Sequence, residues 1–232
     1  IGLLTRKVCG IKQSYPEPTF NKKKKKQKTK RKQQKGKEDM KIIYFMGKSA
    51  SGKDTIYRKV KEKLNPSPKE IILYTTRPIR DHEENGREYF FVTDSEIAKM
   101  ENEGKIIEKR VYHTVYGDWI YATADDGQFD DNSVYMTIGT LESYVPIRAH
   151  FGAETMIPVY LEVEDGLRLE RAIARERTQK TAKYEEMCRR FLADQADFSE
   201  EKLKAANIIK RFKNEDRECC LKEVLSYIEH EL

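Results

Sequence analysis

Short apolar runs alternate along the chain with longer segments in which apolar side chains return every three or four positions. The first run covers residues 42–46, and the segment after it places Ile56, Val60 and Leu64 on one helical face. Short apolar runs predict buried strands, whereas the longer spacing predicts amphipathic helices. Strands that alternate with helices predict an α/β fold, with a mainly parallel sheet and right-handed crossovers.

The same patterns set the bounds of the other predicted elements. Further strands are predicted over residues 71–74, 106–112, 115–121, 133–138, 156–162 and 207–212. Helices are predicted over residues 54–64, 93–104, 140–150, 164–177, 184–198 and 214–232. Pro158 suits the edge of a sheet better than its middle, because proline cannot donate a ladder hydrogen bond. Residues 75–92 indicate a basic loop, a turn and a short strand, and residues 77–122 as a whole predict a small inserted subdomain.

Charge is distributed unevenly along the chain. Residues 1–39 hold 14 Lys and Arg against 3 Asp and Glu, a net charge of +11, so residues 40–232 carry −5 although the whole chain carries +6. Residues 22–37 lack apolar side chains and repel one another, so we expect a disordered basic extension. Such an arm suits nucleic acid or an acidic surface, and the alternatives are a solvated extension or a translated upstream region. Because Met40 stands one residue ahead of the first strand, we favour a translated upstream region, followed by a domain at residues 40–232.

The cysteine spacing argues against disulfides and zinc sites, and the lack of long apolar runs argues against a membrane span. Cys9, Cys188, Cys219 and Cys220 lack the spacing of a disulfide framework or a zinc site, so reduced thiols are expected. No run approaches the roughly 18 apolar residues of a membrane span, and the first residues lack the apolar core of a signal peptide. We therefore expect a cytoplasmic protein without a membrane partner.

A glycine-bounded segment lies directly between the first predicted strand and the first predicted helix. Its first seven positions match the phosphate-loop template G-x-x-x-x-G-K-[ST], with Asp54 where Ser or Thr is expected. Backbone amides in such a loop and the positive end of the next helix form an anion site, to which Lys53 adds a mobile cation. The predicted nucleotide-binding residues are Gly47, Lys48, Ser49, Ala50, Ser51, Gly52, Lys53, Asp54 and Thr55.

Two groups of arginines indicate further phosphate contacts. Arg77 and Arg80 follow a predicted strand, and guanidinium forks hold phosphate oxygens in pairs, with a hydroxyl such as that of Tyr89 beside them. The second group flanks a predicted helix break at residues 178–183, where a hinged helical pair could close over a transferring phosphoryl group. The alternative for this group is a solvated helix with its own glutamates. Its members are Arg168, Arg171, Arg175, Arg177, Arg189 and Arg190.

These segments together resemble the guanylate kinases. The most specific part of the resemblance is the combination of the phosphate loop, T-T-R-x-x-R over residues 75–80 and N-G-x-x-Y-x-F over residues 85–91. Looser matches are I-I-E at residues 106–108, Y-G at residues 116–117, the arginine-bracketed helices and N-E-D at residues 214–216. The resemblance implies the fold of the P-loop nucleoside monophosphate kinases, with residues 77–122 as the acceptor-binding insertion and about residues 171–190 as a helical lid.

The resemblance also implies an activity and a role for each matching residue. The implied reaction is the ATP-dependent phosphorylation of GMP to GDP, with ATP as co-substrate, Mg²⁺ as the metal and small-molecule nucleotides as partners. The implied catalytic residues are Lys53, Arg171, Arg175 and Arg190. The implied acceptor-binding residues are Arg77, Arg80, Tyr89 and Tyr116 for the GMP phosphate, and Glu108 for the guanine N–H groups.

The sequence departs from the family pattern around the metal and the base. Asp54 replaces the hydroxyl residue that touches Mg²⁺, although a carboxylate is also a hard oxygen ligand. Thr137 and Gly139 stand where the family strand ends in aspartates. Asp118 replaces a hydroxyl residue after Tyr116-Gly117, and Leu73-Tyr74 replaces small hydroxyl residues at a strand end. We therefore predict a rearranged metal site with Asp54 as a ligand.

Two other functions remain open beside GMP phosphorylation. Guanylate-kinase-like enzymes that phosphorylate ribose 1,5-bisphosphate also carry a G-K-D loop, and the missing carboxylates suit an acceptor without a base. Guanylate-kinase-like domains also serve as non-catalytic protein-binding modules, but these tend to lose the loop lysine and the lid arginines. Because Lys53, Arg175 and Arg190 are all present, the sequence favours the kinases.

Overall fold

The structure of the protein is a computed structural model that describes residues 40–114 and 117–232. The basic segment 1–39 and Tyr116 therefore lie outside the described residues. The strands are β1 (Lys41–Met46), β2 (Lys69–Glu70), β3 (Leu73–Thr75), β4 (Tyr89–Phe91), β5 (Ile106–Thr114), β6 (Gly117–Ala124), β7 (Val134–Ile138), β8 (Met156–Glu162) and β9 (Arg211–Lys213). The helices are α1 (Lys53–Lys63), α2 (Asp94–Asn102), α3 (Leu141–Phe151), α4 (Asp165–Arg177), α5 (Tyr184–Asp197), α6 (Glu200–Ala205) and α7 (Arg217–Glu231).

The main sheet is parallel and has the strand order β2-β7-β1-β8-β9. Its central strand β1 is buried on both faces, with alternate side chains in two separate cores. Ile42, Tyr44 and Met46 pack with α3 and α6, whereas Ile43 and Phe45 pack with α1 and α7. The predicted α/β fold with a parallel sheet between helices is therefore confirmed.

A second sheet has the order β4-β3-β6-β5, with β3 parallel to β4 and antiparallel to β6. The predicted single strand at residues 71–74 is wrong, because the chain passes there from one sheet to the other. Ile71 still donates a backbone hydrogen bond to Met136 of β7, whereas Leu73 already pairs with Tyr89 of β4. Gln128 Oε1 accepts a hydrogen bond from the Ile72 amide, which lies between the sheets.

Near the carboxyl end, the predicted strand at residues 207–212 is shorter and starts later. Asn207 has a left-handed φ of 58° after α6, and Ile208 packs into the core without pairing. Strand β9 consequently covers only the last three residues of β8. At Pro158, β8 therefore pairs with β1 on one side and with no described strand on the other. This agrees with the predicted edge position. Helix α6 was not predicted as a separate element.

Other sequence predictions concern thiols and membranes. Cys188, Cys219 and Cys220 are free thiols, as expected. Within residues 40–114 and 117–232, none of the helices combines the length and apolarity needed to cross a bilayer.

Tyr44 in β1 fixes the backbone at the end of β7. Its hydroxyl donates to the Thr140 carbonyl over 3.1 Å and shares a hydrogen bond of 2.6 Å with Ser143 Oγ at the start of α3. A Cβ built on Gly139 would lie 1.8 Å from this Tyr44 oxygen. Because Gly139 does not have a positive φ, glycine is required by the space that the hydroxyl occupies. The tyrosine thus excludes a side chain where the resemblance implied an aspartate.

We expect Gly139→Ala to lower the free energy of unfolding by about 1–3 kcal/mol through overpacking. The same substitution should cost less in a Tyr44→Leu background, which removes the ring and its hydroxyl. A double-mutant cycle from urea denaturation measures this coupling. Equal costs in the two backgrounds would contradict the proposed steric exclusion.

Candidate functional site

The phosphate loop lies between β1 and α1 in a strained backbone conformation. Gly52 caps α1 with a φ of 81°, and Ala50 also has a positive φ, of 62°. A Cβ on Gly52 would lie 2.5 Å from Asn214 Nδ2, which donates a hydrogen bond to the Ser51 carbonyl. The Thr55 amide already donates to the Gly52 carbonyl over 3.1 Å, so the Lys53 and Asp54 amides ahead of it are the ones at the helix start that suit an anion.

The loop is held from outside by α4 and α5. Arg168 of α4 is fully buried, and its Nε donates to the Ser49 carbonyl over 3.0 Å. Its two terminal nitrogens pair with Asp165 and Asp194, and Asp194 also accepts the Ser49 amide over 2.7 Å. Lys48 Nζ likewise contacts Gln195 and Asp165. Lys48 and the Ser49 amide are therefore engaged with these helices, whereas their predicted role was nucleotide binding.

A cavity of about 450 Å³ opens over the loop, and we call it the loop cavity. Its described lining contains five cationic side chains and one carboxylate, so it is strongly positive. The lining residues are Ser49, Ala50, Gly52, Lys53, Asp54, Thr55, Arg171, Arg175, Arg190 and Arg217. The structure thus brings together the predicted loop lysine and the three predicted lid arginines, whereas Gly47 and Ser51 do not line the cavity.

The four arginines of the loop cavity differ in their present partners. Arg171 donates to the backbone carbonyls of Asn214 and Glu215, and Arg190 forms an ion pair with Glu186 at 3.3 Å. Arg175 and Arg217 make no side-chain hydrogen bond or ion pair with other described residues, and neither does Lys53. These three cations are available to an anion without losing an existing contact.

The loop cavity also contains oxygen ligands suited to a magnesium ion. Asp54 and Thr55 both line it, at the start of α1. Among the described residues, no group of three or more His, Cys, Asp or Glu side chains is placed to hold a metal ion. Mg²⁺ commonly binds through one or two carboxylates together with substrate phosphates and water. The residues therefore fit a magnesium ion that arrives with a nucleotide.

A second cavity of about 470 Å³ is lined by residues of both sheets, and we call it the aromatic cavity. Four of its lining side chains are aromatic and two are cationic. The lining residues are Lys53, Leu73, Tyr89, Arg110, Tyr112, Trp119, Tyr121, Ile138, Gly139 and Thr140. Lys53 lines both cavities, so this residue lies where the two sites meet.

The predicted phosphate-binding arginines do not line the aromatic cavity. Arg77 is buried and forms a two-pronged ion pair with Glu83, with both N–O distances at 2.9 Å. Its Nε donates to Tyr121 Oη, and the guanidinium also lies 5.4 Å from the ring centre of Tyr89. Arg80 is exposed, and its backbone amide donates to Glu83. Phosphate binding by these arginines stays a prediction, and a phosphate at the Arg77 guanidinium would have to displace the Glu83 carboxylate.

The predicted base-binding glutamate also lies behind the cavity wall. The Glu108 carboxylate is buried, accepts a hydrogen bond of 2.7 Å from Thr123 Oγ1, and pairs with Arg110. It is Arg110 that reaches the cavity. Direct contact between Glu108 and a base therefore stays a prediction, as does the role of Tyr116, which lies outside the described residues.

Sequence reasoning missed Arg110, Arg217 and the contact between Arg168 and Asp194. Arg110 follows Glu108 at the two-residue spacing that places side chains on one face of a strand, a signal that was present in the sequence. Arg217 directly follows the N-E-D motif and opens α7. The contact between Arg168 and Asp194 joins two helices, and no local pattern indicates it.

We expect the ion pair of Glu83 to stabilise the fold only above acidic pH. The hydrogen bonds from Arg77 lower the pKa of Glu83 to about 2, whereas a glutamate in an unfolded chain has a pKa of about 4.3. A lowered folded-state pKa gives stability that is present above the unfolded value and is lost as the pH falls through the folded value. The advantage of the wild type over Glu83→Gln should thus shrink between about pH 5 and pH 2.

Urea denaturation across this pH range measures the difference, with Glu84→Gln as the control because Glu84 is more exposed and lies in the same loop. A difference between wild type and Glu83→Gln that stays constant from pH 5 to pH 2 would contradict the assignment.

Removing Asp194 should loosen the phosphate loop. Asp194→Ala deletes the acceptor of the Ser49 amide and one partner of buried Arg168, so we expect the free energy of unfolding to fall by about 1–3 kcal/mol. Calorimetry should also show weaker binding of ATP, with Asp194→Asn intermediate because it keeps an oxygen acceptor. Asp197→Ala, in the same helix but exposed, is the control. Unchanged ATP affinity in Asp194→Ala would contradict this role.

Comparison with known proteins agrees with this geometry. Residues 39–127 match the family model described as guanylate kinase. A guanylate kinase from Thermotoga maritima is 36% identical over 77 residues, which cover 33% of this chain and 37% of the relative. A guanylate kinase from Malacoplasma penetrans is 38% identical over 68 residues, which cover 29% and 35%. The chain thus spans little more than a third of the length of these curated relatives.

A solved structure extends the similarity of fold beyond the matched segment. The crystal structure of guanylate kinase from Anaplasma phagocytophilum superposes with a TM-score of 0.54 and 16% sequence identity. It covers 84% of this chain and 87% of that chain, which shows a shared fold. Residues 39–127 are thus similar to the guanylate kinase family, and the chain shares the fold of a solved guanylate kinase.

Proposed function

We propose that this chain transfers the γ-phosphoryl group of ATP to a nucleoside monophosphate, with GMP as the preferred acceptor. The observation that carries the proposal is the position of Lys53, which lines both the loop cavity and the aromatic cavity. A strongly cationic cavity suits a triphosphate, and an aromatic cavity suits a base. The phosphoryl group would pass between the two ligands beside the Lys53 ammonium group.

In the proposed reaction, an oxygen of the acceptor phosphate attacks the γ-phosphorus of ATP. A new P–O bond forms to the acceptor, the bond between the γ-phosphorus and the bridging oxygen breaks, and ADP leaves with the electron pair. No covalent intermediate with the protein is needed, so the side chains contribute positioning and charge stabilisation. Lys53, Arg175 and Arg190, which all line the loop cavity, would neutralise the transferring oxygens, with Arg171 behind them.

Magnesium would enter this site with the nucleotide. Asp54 would hold it, and the bound ion would neutralise phosphate charge. The carboxylate also repels a nucleotide that lacks the metal, because Asp54 lines the same cavity as the phosphate-binding cations. Asp54 thereby couples nucleotide binding to the presence of the ion.

Closure of α4 and α5 is a second part of the proposal. Arg175 lies near the end of α4 and Arg190 lies within α5, and residues 178–183 connect the two helices. Arg190 would exchange its ion pair with Glu186 for the transferring phosphate. Such closure excludes water, which would otherwise accept the phosphoryl group.

Phosphorylation of a sugar phosphate such as ribose 1,5-bisphosphate is the second candidate. Arg110 adds a cation to the aromatic cavity, and Gly139 leaves that wall without a carboxylate. A coupled ADP-release assay with ATP, Mg²⁺ and GMP, dGMP, AMP, UMP or ribose 1,5-bisphosphate separates the candidates. We expect turnover to be fastest with GMP. Activity on ribose 1,5-bisphosphate alone would favour the second candidate, and no turnover despite ATP binding would favour a non-catalytic binding module.

Lys53→Ala should lower kcat at least about 100-fold, because it removes a preorganised charge next to the transferring group. Lys63→Ala is the matched control, since this lysine lies in the last turn of the same helix and is exposed. The ADP-release assay measures both variants. A Lys53→Ala enzyme with nearly unchanged kcat would exclude the proposed position of the phosphoryl transfer.

A further inference from the structure

The aromatic cavity contains a guanidinium group to which none of the sequence motifs assigns a role. Arg110 lies in β5, and only a tenth of its side chain is exposed. Glu108, two residues earlier on the same face of the strand, is almost fully buried, with 3% of its side chain exposed. The arginine lines the cavity, whereas the glutamate does not.

The contacts of the pair fix the direction of the guanidinium. Arg110 Nε donates to Glu108 Oε2 over 3.0 Å, and Nη2 donates to Oε1 over 3.4 Å. Thr123 Oγ1 holds Oε1 from behind over 2.7 Å, and Arg110 Nη1 makes only a long contact of 3.4 Å with Tyr112 Oη. The Glu108 carboxylate therefore orients Arg110. The terminal nitrogens of the guanidinium keep N–H groups that can donate to a ligand.

The cavity walls favour a planar base as that ligand. The rings of Tyr89 and Tyr112 each lie edge to face with Tyr121, with centroid distances of 5.6 and 5.4 Å. Leu73 and Ile138 add apolar surface. Aromatic and apolar walls stabilise a stacked ring, whereas a second phosphate there would lose its hydration without enough donors in return.

We propose that Arg110 recognises the O6 and N7 acceptors of guanine, and that Glu108 is a positioning residue for Arg110. An arginine donates to these two adjacent acceptors at once, which is the commonest specific contact to guanine. Adenine presents a donor at N6 beside N7, so the same arginine disfavours it. This proposal rests on the proposed function, because it names the part of the acceptor that the aromatic cavity recognises.

The same geometry makes no use of the guanine 2-amino group. None of the described residues that line the cavity is Asp or Glu, and Gly139 cannot carry a side chain while Tyr44 occupies its space. The N1–H and N2–H donors of guanine therefore meet no carboxylate in the described lining. Inosine monophosphate (IMP), which keeps O6 and N7 but lacks the 2-amino group, should bind about as well as GMP.

Binding is measured by calorimetry with the full chain and without ATP, using GMP, IMP, AMP and ribose 1,5-bisphosphate. The wild type should bind GMP and IMP within about threefold of each other, and AMP at least about tenfold more weakly. Arg110→Ala should weaken GMP and IMP by about 10–100-fold and leave AMP nearly unchanged. Arg110→Lys should recover little, because an ammonium group lacks the planar fork.

A matched control and a charge-balanced variant keep the test independent of folding. Lys109→Ala is the control, since Lys109 neighbours Arg110 but forms an ion pair with Glu101 outside the cavity. The double variant Glu108→Gln with Arg110→Gln removes both charges and leaves neither one buried alone. If Arg110→Ala fails to unfold cooperatively, the double variant replaces it and should show the same loss of preference for GMP over AMP. Glu108→Gln alone should weaken GMP and IMP equally.

Three results would overturn the proposal. Equal affinity of the wild type for AMP and GMP would remove the base preference that Arg110 explains. IMP binding more than tenfold weaker than GMP, with that difference lost in Glu108→Gln but kept in Arg110→Ala, would show that Glu108 contacts the base. Loss of ribose 1,5-bisphosphate binding in Arg110→Ala without loss of GMP binding would show that the arginine serves a phosphate.

The two proposals can fail separately. Selective GMP binding without ADP release would contradict phosphoryl transfer and leave base recognition by Arg110 standing. ADP release at equal rates with GMP and AMP would leave phosphoryl transfer standing and contradict the role of Arg110.

Discussion

The buried guanidinium of Arg168 is the interaction on which the site depends most. A buried charge is costly unless it is paired, and Arg168 pairs with Asp165 of its own helix and Asp194 of α5. The same side chain also donates to the phosphate loop at Ser49. Three segments of the chain therefore share one arginine, and the position of the loop relative to Arg175 and Arg190 follows from it.

The loop cavity and the aromatic cavity differ in the charge of the side chains that line them. The loop cavity combines five cations with a single carboxylate, which suits the phosphates of a nucleotide with its metal. The aromatic cavity combines rings with one oriented arginine, which suits a base. Lys53 belongs to both linings, and it begins α1 directly after the phosphate loop that follows the buried strand β1. The proposed phosphoryl transfer depends on this shared position of Lys53 between the two cavities.

Local patterns predicted most of the fold and the loop cavity. Alternating apolar runs located β1, β7 and β8, and the loop template located Lys53, because both signals involve residues close together in the chain. The loss of a carboxylate at Gly139 was visible in the sequence, but its cause was not. Tyr44 lies far away in the chain and meets Gly139 only because β1 and β7 are neighbours. Arg168 was grouped with solvated or lid arginines, and the contacts that bury it, with Ser49 and Asp194, join segments far apart in the chain.

A single ligand that contains both nucleotides tests most directly whether the two cavities form one continuous site. Adenosine and guanosine connected through five phosphates would fill the loop cavity and the aromatic cavity at once, and linkage of two binding events raises affinity by about 10²–10⁴-fold. Calorimetry with Mg²⁺ should show this molecule binding at least about 100-fold more tightly than ATP or GMP alone, with most of the gain lost in Lys53→Ala. Binding no tighter than that of ATP alone would contradict a shared site for phosphoryl transfer.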